Sequence, residues 1–310
     1  MSNPRILYMG TPDFSATILQ GLIDNNYNVV ALVSQPDRPV GRKKIIEATP
    51  TKKVALAHNI PVYQVEKIRN EYDFIKEIKP DIIITCAYGQ IIPQAVLDIP
   101  PYGCVNVHAS LLPKLRGGAP IHHAIIDGHK KTGITIMEMT AGMDAGKIYM
   151  VKETPITDED DLETLSNRLQ IIGRDLLLEF LPPYLEGKIK GVEQDESEVT
   201  YAYNIRKEEE EIDWHKKARE IFNQVRGLYP KPATYTSLDN EIVKIYKVRI
   251  KEEESKKEPG SILNSNKELV VACGKGSLEI LELQPAGKKV MATSQYLNGV
   301  GQNLKDKAFK

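Results

Sequence analysis

With 310 residues, 41% hydrophobic and 27% charged, the chain is too long for one ordinary core and has the composition of a folded two-domain protein, which excludes disordered and fibrous classes. A net charge of −1 gives no bulk electrostatic pull on nucleic acid, and three isolated cysteines (Cys86, Cys104, Cys273) exclude a disulfide scaffold or zinc ribbon. No apolar run approaches the ~20 residues of a membrane span, and the first residues do not read as a secretory leader, so a cytoplasmic chain with no membrane partner is expected.

Residues 5–9 read as a first strand. Gly10–Asp13 is a turn, and Asp13 or Ser15 stands where it could cap the helix that follows. Ile18, Leu19, Leu22 and Ile23 give that helix one apolar face. Val29–Val33 is a β-branched strand. A loop rich in Pro, Arg and Lys then runs to about Lys53, with six Lys/Arg against two acids over 35–53. Such a run is either solvated surface or a seat for an anionic partner. A helix near 51–59, a strand at 60–64, a helix near 70–78, the apolar strand Asp81–Thr85 and the strand Val105–His108 follow. Strands alternating with helices at this spacing predict an α/β, Rossmann-like sheet of mostly parallel strands.

Beyond Pro120 a helix runs to Asp127. Gly133–Met139 alternates like a half-buried strand, and Gly146–Val151 reads as its partner across the turn at 141–146. Leu162, Leu165, Leu169, Ile172, Leu176 and Phe180 recur every three or four residues and predict a long helix over about 161–180, which the pair Pro182-Pro183 should stop. Residues 189–206 lack periodicity and read as a linker closing a first domain over 1–188. In 207–310 a helix near 215–227 precedes short strands at 233–238, 241–250, 260–263, 269–273 and 277–283, with turn chemistry at Asp239-Asn240 and Asn264–Asn266. That pattern predicts a small OB-like β-barrel. This second domain carries 19 Lys/Arg and 16 Asp/Glu, net +3, and the remainder 22 and 26, net −4.

The first strand is followed by Gly10-Thr11-Pro12-Asp13-Phe14 rather than G-x-G-x-x-G, and no P-loop motif occurs, so no nucleotide cofactor is expected. The histidines at 58, 108, 122, 123, 129 and 215 fall at no metal-ligand spacing, and no metal is expected. Strand alternation puts Asn106 and His108 on one side, at the carboxyl end of their strand, where open α/β sheets hold ligands. Ser110–Pro120 is a loop with a rigid Pro, an Arg and a Gly pair. Asp144 lies in a turn flanked by Gly142 and Gly146. From residue chemistry alone, Asn106 and His108 are either a catalytic pair or two satisfied polar groups, and Asp144 is either a partner to them or a turn former.

The run Asn106-x-His108-x-Ser110-Leu111-Leu112-Pro113-x-x-Arg116-Gly117, together with Asp144, resembles the folate-dependent formyltransferases. The likeness extends through 10–14, 35–39, Gly41-Arg42, Ala87–Gly89, 132–135 and 283–289, and so covers nearly the whole chain. The basic insertion at 35–53 and the terminal barrel are similar to those of the tRNA-acting members. In one corner the pattern departs from the family, which often has an aromatic between the prolines where this chain reads Tyr229-Pro230-Lys231-Pro232.

The resemblance implies transfer of a formyl group from 10-formyltetrahydrofolate, as co-substrate, to the α-amino group of methionine on initiator tRNA, by a monomer. It implies catalysis by Asn106, His108 and Asp144. It implies folate binding at Ser110, Leu111, Leu112 and Pro113 and at Ala87, Tyr88, Gly89 and Gln90, through backbone groups. It implies tRNA binding through Arg42, Lys43, Lys44 and Arg38; Arg206, Lys207, Lys288 and Lys289 are either further backbone contacts or plain solvated surface. A formyltransferase acting on a small amine (a ribonucleotide or an amino sugar), or a formyl-folate hydrolase, would share the trio without needing the basic loop or the barrel.

Overall fold

The first strand, β1 (Ile6–Gly10), is buried on both faces, which is why it is apolar at nearly every position instead of alternating. This computed structural model describes residues 3–40, 44–251, 255–299, 304 and 307–310. By contact density the chain forms two units. The first comprises 1–120, 131–155 and 166–203, and the second 121–130, 156–165 and 204–310.

In the first unit, β1 is followed by α1 (Asp13–Asp24), β2 (Val29–Ser34), the hairpin β3 (Arg38–Val40) and β4 (Ile45–Glu47), α2 (Pro50–Ala57), β5 (Val62–Gln64), α3 (Asp73–Ile78), β6 (Ile82–Cys86), α4 (Gln94–Leu97) and β7 (Cys104–His108). After α5 (Pro120–Ile126), which falls almost wholly in the second unit, come β8 (Lys131–Glu138), β9 (Ile148–Pro155) and α6 (Leu162–Leu185), whose first turn also falls there. The sheet order is β5-β2-β1-β6-β7-β8-β9. The first five strands are mutually parallel, and β8 and β9 join antiparallel. The expected mostly parallel α/β sheet is therefore observed. Leu7 and Met9 pack with Val33, Ile75, Ile83 and Val96 in one apolar layer. Tyr8 points to the opposite layer, where its hydroxyl donates to the Ser15 carbonyl of α1 at 2.8 Å.

Two local expectations are corrected. Neither Asp13 nor Ser15 caps α1; the cap position is Pro12, with no side-chain bond. Ser15 is fully buried, and its hydroxyl is paired with that of Tyr8 at 2.9 Å. Nor do Pro182 and Pro183 stop α6, which runs through both to Leu185. Each proline removes one ladder donor, yet the helix continues past both for two more residues before it ends. The helix ends instead at Gly187, at φ +70, where the Glu186 and Lys188 N–H groups donate to the carbonyls of Pro182 and Pro183.

The stretch read as a linker is tied down along much of its length. Val192 exchanges two 2.8 Å backbone bonds with Ile148. The Arg116 N–H donates to the Thr200 carbonyl (2.9 Å) and the Ala202 N–H to that of Arg116 (2.7 Å). Gly117, at φ +124, permits this approach: a Cβ there would stand 2.6 Å from the Ala202 carbonyl oxygen.

The second unit contains α7 (Ala218–Gly227), β10 (Thr234–Leu238), β11 (Glu241–Lys251), β12 (Ile262–Asn264), β13 (Leu269–Ala272), β14 (Ser277–Pro285), β15 (Met291–Ala292) and α8 (Thr293–Asn298). Its antiparallel sheet runs β10-β11-β14-β13-β12, with β15 on β14. Asp239 and Asn240, both at positive φ, form the tight β10–β11 turn that their residue types prefer. Trp214, Ile221, Ile245, Val271, Leu278 and Ile280 fill the concave side. Residues 307–310 bond to both ends of the series: Lys310 with Ser237 on β10, Lys307 with Ile262 on β12. The sheet curls into a half-barrel, in keeping with the barrel expected.

Candidate active site

The end of β7 carries the two polar residues. Register places Asn106 beside Thr85 of β6, and the Thr85 hydroxyl donates to Asn106 Oδ1 at 2.9 Å. With the amide oxygen held there, the NH2 is the end of Asn106 that can donate to a ligand.

His108 is buried, 5% exposed. Its Nε2 lies 3.0 Å from the Leu115 carbonyl oxygen. A carbonyl only accepts, so Nε2 carries a proton and Nδ1 is the ring atom left to exchange one. Nδ1 faces Asp144, with 3.7 Å to Oδ2. That carboxylate oxygen accepts the Gly117 N–H at 2.8 Å, and Asp144 sits in the left-handed region at φ +46. The structure thus brings Asn106, His108 and Asp144 together at one end of the sheet, His108 and Asp144 pinned through the loop at Leu115 and Gly117.

A further layer holds Asp144. The Gln194 NH2 donates to the carbonyls of Asp144 and Gly146, 2.7 Å each, and its Oε1 accepts Nε and Nη2 of Arg116. Arg116 is buried and also pairs with Glu196 at 2.8 Å. Sequence reasoning found Arg116 only as part of a motif and missed Gln194, which lies in an aperiodic stretch with no local pattern to mark it.

The loops after β6 and β7 lie on neighbouring parallel strands and so at the same end of the sheet. In the first, Ala87 and Gly89 have positive φ and are exposed. The Tyr88 ring is buried, and its carbonyl accepts from Thr11 and Gln35. The Gln90 side chain braces the chain at Val65 and Ile68. In the second, Ser110 is fully buried and its hydroxyl donates to the Lys114 carbonyl at 2.6 Å. The Thr135 hydroxyl donates to the Ser110 carbonyl (2.7 Å) and accepts the Leu112 N–H (3.3 Å). Leu112 is buried, while Leu111 and Pro113 are half-buried. The side chains of Ser110 and Gln90 and the ring of Tyr88 therefore serve the fold.

Of the four basic positions singled out, Arg42 and Lys43 lie outside the described residues. Lys44 is exposed at the β3–β4 turn, and Arg38 on β3 forms an exposed pair with Glu66 at 2.9 Å. Lys52 is bonded inward to Asp37 and Gln64. The Lys52 ammonium and the Gln64 amide hold the Asp37 carboxyl below its usual range. Arg206 and Lys207 pair with Glu209 and Glu210.

The cysteines Cys86, Cys104 and Cys273 are buried and form no disulfide, and burial pushes each thiol up to about 12. Among the described residues no group of three or more His, Cys, Asp or Glu is placed to hold a metal, and no helix is long and apolar enough to cross a membrane.

Residues 4–181 match the family model described as formyl transferase, and residues 204–301 the model of its C-terminal domain. The chain is 51% identical over 304 residues to a methionyl-tRNA formyltransferase of Streptococcus agalactiae, covering 97% of each chain. It is 49% identical over 307 residues to one of Enterococcus faecalis, covering 98% of each. Among solved structures, HypX from Aquifex aeolicus in complex with tetrahydrofolic acid is 17% identical with a TM-score of 0.67, over 98% of this chain and 49% of that one. The sugar 3N-formyl transferase WlaRD, in the presence of dTDP and 5-N-formyl-THF, is 18% identical with a TM-score of 0.68, over 93% and 100%. At such identities the solved structures show a shared fold.

Proposed function

The chain belongs to the formyl transferase family, and from that premise we propose that it moves the formyl group of 10-formyltetrahydrofolate to the α-amino group of methionine esterified to initiator tRNA. Full-length likeness to relatives named for this reaction supports the substrates. The observation that carries the chemistry is the approach of His108 Nδ1 to Asp144 beside Asn106.

The methionine amine, once deprotonated, attacks the formyl carbon and forms the new C–N bond. The carbonyl electrons move onto oxygen, and the Asn106 NH2 donates to that oxyanion. Losing such a donor typically costs about 3–4 kcal/mol of barrier. The proton leaving the amine passes into the His108–Asp144 pair, and the folate nitrogen takes a proton from the same pair as its C–N bond breaks. Protonated Nε2 is spent on Leu115, so Nδ1 is the nitrogen through which His108 takes part.

The folate lies along the loops 87–90 and 110–113, bonded through backbone groups. The basic loop with Arg42, Lys43, Lys44 and Arg38, and the domain over 207–310, receive the tRNA, with 1–188 as the catalytic domain. The chain works as a cytoplasmic monomer. The test is transfer of labelled formyl from the folate to charged initiator tRNA. Turnover is expected with the tRNA, while a faster reaction with free amines or amino sugars, or release of formate, would overturn the reading.

A further inference from the structure

Residues 200–203 form a short extended strap beside the loop after β7. Its middle is pinned: the Ala202 N–H donates to the Arg116 carbonyl, and the Ala202 carbonyl accepts the Ala119 N–H at 3.0 Å. Ala202 is fully buried, yet its neighbours Tyr201 and Tyr203 are 49% and 61% exposed. Their rings are stacked, with centroids 5.6 Å apart and planes 6° from parallel. The other ring pairs described in this unit, such as Tyr63–Phe74 and Phe180–Tyr184, are buried or half-buried. Two stacked, partly exposed rings on a strap pinned by backbone bonds offer an aromatic surface for another flat ring.

The location matters. The strap pairs with Arg116, whose neighbours supply the Leu115 carbonyl that holds His108 and the Gly117 N–H that holds Asp144. Paired extended segments lie ~4.8 Å apart and advance ~3.4 Å per residue, so the tyrosine backbone is on the order of 10 Å from the Asp144 carboxylate. The path from an amine, through an aminoacyl ester and a ribose, to that ribose's base is of the same order.

We propose that Tyr201 and Tyr203 form the stacking platform for the terminal nucleobase of the acceptor, the base of the nucleotide that carries the amino-acid ester. The proposal rests on the acceptor being an aminoacyl-tRNA. Stacking on an aromatic side chain is tolerant of sequence and contributes about 1–3 kcal/mol per base. Here it fixes a flexible single strand so that the amine meets Asn106 and His108.

A cycle of protein and substrate changes tests this. The acceptors are charged tRNA with its 3′-terminal base and the same tRNA with an abasic terminal nucleotide. The proteins are wild type, Tyr201→Ala/Tyr203→Ala and Tyr201→Phe/Tyr203→Phe. The double alanine variant should lose about tenfold in kcat/KM for the intact acceptor, mostly through KM, with the folate KM unchanged. The double phenylalanine variant should stay near wild type. Removing the base should cost the wild type about tenfold and the alanine variant almost nothing. An alanine variant equal to wild type, or one that still loses as much when the base is removed, overturns the platform. Filter binding of the same acceptors, uncharged, repeats the cycle without chemistry. If the wild type transfers no formyl at all, the functional reading fails, while the binding cycle still decides the platform.

Discussion

Gln194 joins Arg116 to the turn that carries Asp144, donating to two carbonyls of that turn and accepting twice from the guanidinium. The turn needs holding, because Asp144 occupies the left-handed region, which is unfavourable for most residues with a Cβ. Gln194→Ala would leave the Gly146 carbonyl and the donors of buried Arg116 short of a partner, at about 1–3 kcal/mol each. We expect a lower urea midpoint and a reduced kcat, with both KM values close to wild type. Wild-type kcat in a destabilised Gln194→Ala protein would mean that the turn keeps its shape unaided.

Asn106→Ala should lower kcat by about 10²–10³, as expected for loss of an oxyanion donor. Asp144→Asn is the informative partner change. Asparagine tolerates left-handed backbone and its oxygen can still accept the Gly117 N–H, so the fold should survive with the carboxylate gone. Turnover should fall steeply while circular dichroism stays native. His108→Ala combined with Asp144→Asn should cost little more than the worse single change if the pair handles one proton. Additive losses would show that the two residues work separately.

Asn106 and His108 were legible because β7 is a strand that stops at His108, and residues two apart on a strand fall on one side, here at the carboxyl end of the sheet. Asp144 was not legible from its own residues. A Gly-flanked Asp reads as a turn former, and only the resemblance tied it to His108. Gln194 reaches a turn about fifty positions earlier in the chain, a relation that no local pattern encodes. The proline pair in α6 marks the end of the helix only to within a few residues, since the helix continues past both prolines to Leu185. In the second unit, turns at Asp239-Asn240 announced the hairpins, but nothing local showed that residues 307–310 would bond both β10 and β12.

Thr135 supports the loop assigned to the folate. Its hydroxyl is the only polar group of that side chain, and it serves both the Ser110 carbonyl and the Leu112 N–H. Thr135→Val keeps the shape and removes both bonds in a fully buried position. The folate KM should rise about tenfold, with the tRNA KM little changed. An unchanged folate KM would detach the 110–113 loop from folate binding.

The basic hairpin should betray itself through salt. Each phosphate contact contributes a slope of about −0.7 to −0.9 in log K against log salt. Removing Arg42 or Lys44 should weaken tRNA binding and flatten that slope by roughly one contact each, with folate kinetics unaffected. Arg38 already pairs with Glu66, so Arg38→Ala should do less. Identical salt slopes in wild type and Arg42→Ala would remove the loop from the tRNA path.

His122, on α5 in the second unit, gives a pH signature of folding. Burial, with a smaller contribution from neighbouring His123, pushes its imidazole down to about 4. In the unfolded chain a histidine titrates near 6.5. Between those values the unfolded chain takes up a proton that the folded unit refuses. This contribution is therefore full above pH ~6.5, falls as pH drops towards 4, and is constant below that. The ceiling is about 3 kcal/mol, and less in practice because the ring keeps some contact with solvent. Urea unfolding at pH 7 and pH 4.5 should show wild type losing more stability on acidification than His122→Gln. Other groups titrate in the same window, but they are common to both proteins, so the difference isolates the imidazole. Equal losses would mean that residue 122 is as well solvated folded as unfolded.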